Sequence, residues 1–282
     1  MNKNYLISGF SDEIDAGIIK QFDVISKLGI KYFEPRVIDG KNVSNLNKYE
    51  TATLKKIMGC YGITVSSIGS PIGKIKTTDD FDAHFDLFKN TVEVANTLGA
   101  KYIRAFSFFM PENEKPEDYT GFVVEKLGKM VEYAAQNGVV LLHENEKGIY
   151  GNIAVRCKTL FEQIKSDNFR AVFDFSNFVE CSQDTLEAYD MLKPYIEYIH
   201  IKDCIKNGHV VPVGFGDGNV EAILKDLYKN GYDGFLSLEP HLSNYEVPSD
   251  AGKPVSEFTE DLPAHIRLSA IFLTGSENTF LV

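Results

Sequence analysis

Four short apolar runs of this chain each close on a side chain that can hold a cation or move a proton. Val139-Val140-Leu141-Leu142-His143 leads to Glu144, and Ala171-Val172-Phe173 leads to Asp174. Tyr198-Ile199 leads to His200, and Phe235-Leu236-Ser237-Leu238 leads to Glu239. Successive members are spaced by about one strand-plus-helix repeat. The alternation of a β-strand places Val140, Leu142 and Glu144 on one face, and likewise Tyr198 with His200 and Ser237 with Glu239. Three carboxylates drawn together without a cation would repel one another and force some to protonate. A divalent ion removes that conflict. Three oxygen donors and one imidazole suit Mn²⁺, Mg²⁺, Co²⁺ or Fe²⁺ better than a structural Zn²⁺ site. Taken singly, a strand-end acid is ordinarily a helix cap, and a lone histidine in an apolar strand is ordinarily packing. The coincidence of four at successive strand ends carries the metal reading.

The elements that must position these groups follow a repeated grammar. Leu28-Gly29-Ile30-Lys31-Tyr32-Phe33-Glu34 is nearly repeated by Leu98-Gly99-Ala100-Lys101-Tyr102-Ile103-Arg104. Related junctions stand at Tyr61-Gly62, Asn137-Gly138 and Asn230-Gly231. At each, a helix closes on glycine and a strand begins. Helix-period stripes precede the glycines: Ile14, Ile18, Phe22, Ile25, Leu28; then Phe81, Phe85, Phe88, Val92, Ala95, Leu98; then Val123, Leu127, Met130, Val131, Ala134. Strand-like runs are predicted at about 5–10, 31–36, 63–68, 101–107, 138–144, 170–175, 196–202 and 234–239. The junctions before 170 and 196 lack the glycine. Eight strands alternating with helices predict an α/β chain folded as a single (β/α)₈ TIM barrel over residues 1–282, with the eighth strand pairing the first. The rival doubly wound sheet would carry a glycine-rich phosphate loop after its first strand. Ser8-Gly9-Phe10-Ser11-Asp12-Glu13 is no such loop. The stretch from about 240 to 260 reads as an active-site loop.

Charge and composition narrow the partners. There are 29 Lys+Arg against 40 Asp+Glu, a net charge of −11. That sign opposes binding to a phosphate backbone, so no nucleic-acid partner is expected. No apolar stretch is long enough to span a membrane, and no membrane partner is expected. The first residues turn acidic at Asp12 and Glu13, which predicts no secretory leader. The four cysteines (Cys60, Cys157, Cys181, Cys204) form no CxxC pair. They read as buried reduced thiols of a cytoplasmic protein.

With Glu144, Asp174, His200 and Glu239 at these strand ends, the chain resembles the xylose isomerase-like TIM barrels. That superfamily includes sugar-phosphate isomerases and epimerases, ketose 3-epimerases, inosose dehydratases and endonuclease-IV-type enzymes. The resemblance implies that these four side chains ligate one divalent metal, Mn²⁺ or Mg²⁺ foremost, with Co²⁺, Fe²⁺ or Zn²⁺ as alternatives. It further implies that Glu144 and Glu239 are the acid/base pair on opposite faces of the substrate. His143-Glu144-Asn145-Glu146-Lys147-Gly148 and the loop Pro212-Val213-Gly214-Phe215-Gly216-Asp217-Gly218 look like the sugar-isomerase branch. Two departures stand out. Asp174 is followed three positions on by Asn177 where many members carry histidine, which weakens the nuclease branch. Phe215 stands where a glutamate is frequent.

The expected function is therefore a metal-dependent isomerase or epimerase of a sugar, sugar phosphate or polyol, working through proton transfer beside a carbonyl. The alternatives are a dehydratase of a cyclic polyol ketone, an endonuclease-type repair enzyme, and a barrel that binds sugar without catalysis. Homo-oligomerisation stays open. Glu34, Arg104, Asn177 and Lys202 are the expected substrate contacts, and Arg104 and Lys202 equally suit internal ion pairs with mouth acids. Arg36 ends the second strand beside Glu34. Phe106, Phe108 and Phe109 read as pocket wall or packing, and His84 as structural.

Overall fold

The computed structural model describes residues 6–241. Eight parallel strands alternate with helices in these residues: β1 (Leu6–Gly9), β2 (Tyr32–Phe33), β3 (Thr64–Val65), β4 (Tyr102–Ala105), β5 (Val140–Glu144), β6 (Phe169–Asp174), β7 (Ile196–Ile201) and β8 (Phe235–Leu238). Six of them form a continuous sheet in the order β1-β8-β7-β6-β5-β4, and β2 pairs with β3. Leu6 pairs with Phe235 and Gly9 with Leu238, so the eighth strand joins the first as the sequence predicts. Backbone bonds close the two remaining seams. Glu34 N–H donates to the Gly9 carbonyl (2.9 Å), and just past β3 Ile68 N–H donates to the Tyr102 carbonyl of β4 while its own carbonyl accepts from Arg104 N–H (2.9 Å each). The chain is a (β/α)₈ barrel. β2 and β3 are shorter than the predicted 31–36 and 63–68, and after β2 Pro35 has no N–H with which to continue a ladder.

The outer helices are α1 (Ile18–Lys27), α2 (Lys48–Tyr61), α3 (Phe81–Leu98), α4 (Thr120–Gln136), α5 (Ala154–Ile164), α6 (Phe175–Glu180), α7 (Thr185–Leu192) and α8 (Val220–Lys229). Gly62 and Gly99 close α2 and α3 in the left-handed conformation. The junctions without glycine use other stops. Lys165 takes the left-handed cap after α5, and Pro194 follows α7, where it cannot continue a helix. Asn47 and Glu50 form a reciprocal cap at the start of α2. Ile14 precedes α1, which begins four residues later than its stripe suggests. Two short hairpins were not foreseen: Val37–Ile38 with Lys41–Asn42, and Asp203–Cys204 with Val210–Val211.

Strand alternation divides the interior in two. Ile103, Leu141, Phe173, Ile199 and Leu236 face outward and join the helices' buried stripes in the main core. Tyr102, Val140, Leu142, Val172 and Tyr198 form a separate apolar cluster inside the barrel. Two residues further along the same strands stand Arg104, Glu144, Asp174 and His200. The barrel is thus plugged by hydrocarbon below and lined by charge above, at the strands' C-terminal ends. Of the cysteines, Cys157 and Cys204 are buried, but Cys60 is exposed and Cys181 half-buried. The expectation of buried thiols holds for two only, since Cys60 lies on the outer face of α2. No helix among the described residues is long and apolar enough to cross a membrane. The predicted loop at 240–260 lies outside the described residues from 242 onward.

Candidate metal centre

Each ligand candidate is delivered by its own strand: Glu144 closes β5, Asp174 closes β6, His200 is the penultimate residue of β7, and Glu239 follows β8. One donor atom from each lies within 4.8 Å of all the others. All four are buried. His200 Nδ1 stands 3.0 Å from Glu144 Oε1 and 3.2 Å from Glu239 Oε2. Lys202 Nζ reaches Asp174 Oδ2 at 3.1 Å and Glu239 Oε2 at 4.0 Å. Arg104 Nη1 pairs with Glu144 Oε2 at 3.2 Å. Beyond these ionic contacts, Glu144 Oε2, Asp174 Oδ2 and Glu239 Oε2 are buried oxygens without a hydrogen-bond partner. Unpartnered buried carboxylate oxygens are costly, and a hard divalent cation is the ligand such a set fits.

The charges are strongly coupled. Burial pushes the carboxyl of Glu144 upward, but His200 and Arg104 outweigh it and hold the group below the ordinary range. Glu239 behaves alike: burial raises it, and Lys202, His200 and His241 bring it well down. Asp174 goes the other way. Burial raises it, and the charges of Glu144 and Glu239 add to that, against the pull of Lys202. Burial alone would strip His200 of its proton, yet Glu144 and Glu34 on either side lift its pKa well above the usual value. A cation held by these groups would compete with the imidazole proton for the same carboxylates.

The expected substrate contacts are all here. Asn177, in the first turn of α6, donates its backbone N–H to Asp174 Oδ1 (2.8 Å) and its Nδ2 to the Asn145 carbonyl (2.9 Å) and Glu144 Oε1 (3.3 Å). Its Oδ1 accepts from Lys202 Nζ at 3.0 Å. Arg104 donates to the carbonyls of Gly69 (3.2 Å) and Ser70 (3.4 Å). Glu34 is fully buried on the far side of His200, with its Oε2 3.3 Å from Nε2. Arg36 bonds Asp12 Oδ2 (2.8 Å) and stands 3.5 Å from Glu239 Oε1.

The aromatics divide. Phe106 carries Lys74 and Arg104 over its ring, at 4.3 and 5.0 Å, beside the site. Phe108 belongs to the main core, and Phe109 is half-buried. His84 is buried and accepts the Gly73 N–H at Nε2 (2.8 Å), a structural role.

Several participants were not singled out from the sequence. Phe10 is buried with its ring under both Arg36 and Arg104 and edge-on to His200. Asn145 bridges β5 and β6 through the backbone of Asp174, at 3.0 and 3.1 Å. His241, two residues beyond Glu239, meets Glu239 Oε1 at 3.0 Å and Glu13 Oε1 at 3.1 Å. Asp203 accepts the backbone N–H groups of Cys204, Gly214, Gly216 and Gly218 (2.9–3.0 Å) and so folds the glycine loop. A Cβ on Gly216 would fall 2.2 Å from Asp203 Oδ1. The His-x-Lys-Asp order of residues 200–203 was the available signal for Asp203, since each group follows directly from the ligand.

A (β/α)₈ barrel with acids and an imidazole converging at the C-terminal mouth defines the class. Residues 22–261 match the xylose isomerase-like TIM barrel family, and the chain belongs to it. Among curated proteins, an inosose dehydratase of Clostridium perfringens is 22% identical over 255 residues, covering 78% of this chain and 85% of the relative. The crystal structure of the IOLI protein with a bound zinc atom superposes with a TM-score of 0.72 at 18% identity, covering 94% of this chain and 95% of that one. The apo 3-keto-D-glucoside 4-epimerase YcjR of Escherichia coli gives 0.68 at 17%, covering 95% and 99%. At these identities the structural likeness shows the fold.

Proposed function

We propose that this protein is a divalent-metal-dependent isomerase or epimerase of a sugar or related polyol ketone. The observation that carries the reading is the set of donor atoms on Glu144, Asp174, His200 and Glu239 within 4.8 Å of one another, three of them acids with unpartnered oxygens. When bound, the ion supplies a Lewis acid that makes a carbon acid next to a carbonyl removable near neutral pH. The protein's own groups do the rest. Glu144 and Glu239 both meet His200 Nδ1 and both are held ionised, so either can accept the substrate proton and, once protonated, give it back to the neighbouring position. Lys202 and Arg104 are buried cations that stay charged. They offset negative charge arising on substrate oxygen and fix substrate hydroxyls. Asn177 ties Lys202 to the Asp174 turn and sets where that ammonium stands. Hydrocarbon below the site, from Leu142 to Tyr198, keeps bulk water from entering through the barrel floor.

A second reading, dehydration of a cyclic polyol ketone, is favoured by the inosose dehydratase relative. It uses the same proton abstraction followed by departure of a β-hydroxyl. One experiment separates the readings: incubation of metal-loaded protein in D₂O with ketoses, their phosphates and inososes, followed by NMR and metal analysis. Deuterium uptake without loss of water supports the isomerase or epimerase. Uptake with loss of water supports the dehydratase. Absence of bound metal in an active protein refutes both.

A further inference from the structure

Beneath the metal centre lies a chain of buried polar groups that proton transfer does not use. Glu34 Oε2 accepts from Tyr198 Oη (2.9 Å) and Ser237 Oγ (2.7 Å) and faces His200 Nε2 at 3.3 Å. Tyr198 Oη in turn meets Ser66 Oγ at 2.9 Å, and Ser66 Oγ meets Ser8 Oγ. Glu34, Ser8, Ser66, Tyr198, Ser237 and His200 are buried, most of them completely. The second oxygen of Glu34 and the Nε2 of His200 have no hydrogen-bond partner, so the contact between the two side chains is ionic. A buried carboxylate with a spare oxygen is an expensive thing to keep inside a barrel. Its position opposite Nδ1 explains it.

We infer that Glu34 is a positioning residue: its carboxylate, 3.3 Å from Nε2, favours a proton on that nitrogen, holds the ring, and leaves Nδ1 facing Glu144, Asp174 and Glu239. The inference rests on the metal reading above and goes beyond it, moving Glu34 from substrate contact to ring orienter. An imidazole has two nitrogens, and only one can serve the cation. A carboxylate on the other decides which, raises the donor strength of the ring, and holds its plane. Tyr198 and Ser237 act on Glu34 itself. Two donors on the same Oε2 hold that oxygen beside the ring. Phe10 packs edge-on to the same imidazole, with ring centroids 5.2 Å apart, and closes off the remaining rotation.

The test uses the full chain stripped of metal and titrated calorimetrically with Mn²⁺. Wild type should bind about one ion per chain. Glu34→Gln keeps size and a carbonyl acceptor but removes the charge, and should weaken Mn²⁺ about 10- to 100-fold. Tyr198→Phe frees Glu34 on one side and should weaken it by a smaller factor in the same direction. Ser8→Ala, at the far end of the chain of groups, should leave affinity unchanged while lowering thermal stability. If Glu34→Gln does not fold, Tyr198→Phe against Ser8→Ala carries the comparison. A second readout is insensitive to stability: ¹⁵N-histidine NMR of the zinc-loaded protein, with His200 assigned by its absence in His200→Gln. The expected signature is a protonated Nε2 and a metal-shifted Nδ1. Equal Mn²⁺ affinity in Glu34→Gln and wild type, or metal on Nε2, overturns the inference and leaves the metal reading standing. A wild type that binds no ion overturns both.

Discussion

Replacing Gly73 by alanine probes whether the mouth of the barrel is as tightly fitted as its contacts imply. Gly73 sits at φ +88, and a Cβ there would lie 2.0 Å from the Phe106 carbonyl oxygen, 2.5 Å from its carbon and 2.9 Å from its nitrogen. These are backbone atoms at the end of β4, so no rotamer change relieves the overlap. The loop must retreat by about 1 Å or more to reach ordinary contact. Retreat breaks the bonds Phe106 N–H to Ile72 O (2.7 Å) and Phe108 N–H to Gly73 O (2.9 Å). It also strains the Gly73 N–H bond to His84. A left-handed alanine costs about 1–2 kcal/mol, and two to three lost hydrogen bonds cost about 1 kcal/mol each. The expected destabilisation is about 3–5 kcal/mol, a large part of the roughly 5–15 kcal/mol that holds a domain together. The same loop presents the Gly69 and Ser70 carbonyls to Arg104, so Glu144 should lose its clamped partner and divalent-ion affinity should fall as well. Urea unfolding and Mn²⁺ titration measure both. Gly128→Ala is the matched control: it lies within α4 with nothing within 4 Å of a new Cβ, and should stabilise by about 0.5–1 kcal/mol. Gly73→Ala within about 1 kcal/mol of wild type would refute the fitted-loop reasoning.

Glu144→Gln and Glu239→Gln should cost roughly 10²–10⁴-fold in substrate C–H exchange in D₂O while most of the metal stays. His200→Ala should lose the metal first and activity with it. Full exchange in both glutamine variants at full occupancy contradicts the two-glutamate mechanism. Burial lowers the pKa of His84, partly offset by Asp79, so the folded state resists a proton that the unfolded chain accepts near pH 6.5. Stability from this group is present above that pH and is lost as pH falls below it. Urea midpoints between pH 8 and 5 should therefore fall less in His84→Gln than in wild type. Asp203→Asn removes acceptors from the glycine loop, and amide exchange at Gly214, Gly216 and Gly218 should accelerate relative to β7. Unchanged protection there would show that the loop stands without Asp203.

The barrel was legible because its signals are local: stripes on α3 and α4, glycine stops at Gly62 and Gly99, and apolar runs ending in charge. Closure by β8 on β1 followed from counting strands. What escaped was governed by contacts distant in sequence. β2 and β3 shrink to two ladder residues each, and beyond them Gly69 packs against Phe10 and Arg36, contacts that local propensity does not encode. The convergence of the four candidate donors was readable from strand ends alone. Glu34 was noticed, but its neighbours Tyr198 and Ser237 lie more than 160 residues away in the chain. Only the folded ring shows that it faces His200. The available signal was a set of serines in or just past otherwise apolar strands, Ser8 and Ser66 beside the Ser237 already placed on the face of Glu239.

The pairing of β1 with β8 also has a consequence for how the molecule is made. Synthesis delivers Leu6–Gly9 among the first residues and Phe235–Leu238 among the last of the described chain. Until the last strand emerges from the ribosome, β1 and β7 each present an open edge of backbone donors and acceptors, the kind of surface on which nascent chains associate wrongly. Glu239 arrives with that same strand. A half-made chain can gather Glu144, Asp174 and His200, but it cannot complete the donor set. On the metal reading proposed above, capture of a cation would thereby be tied to the final act of closure, when the first and last staves of the ring have met.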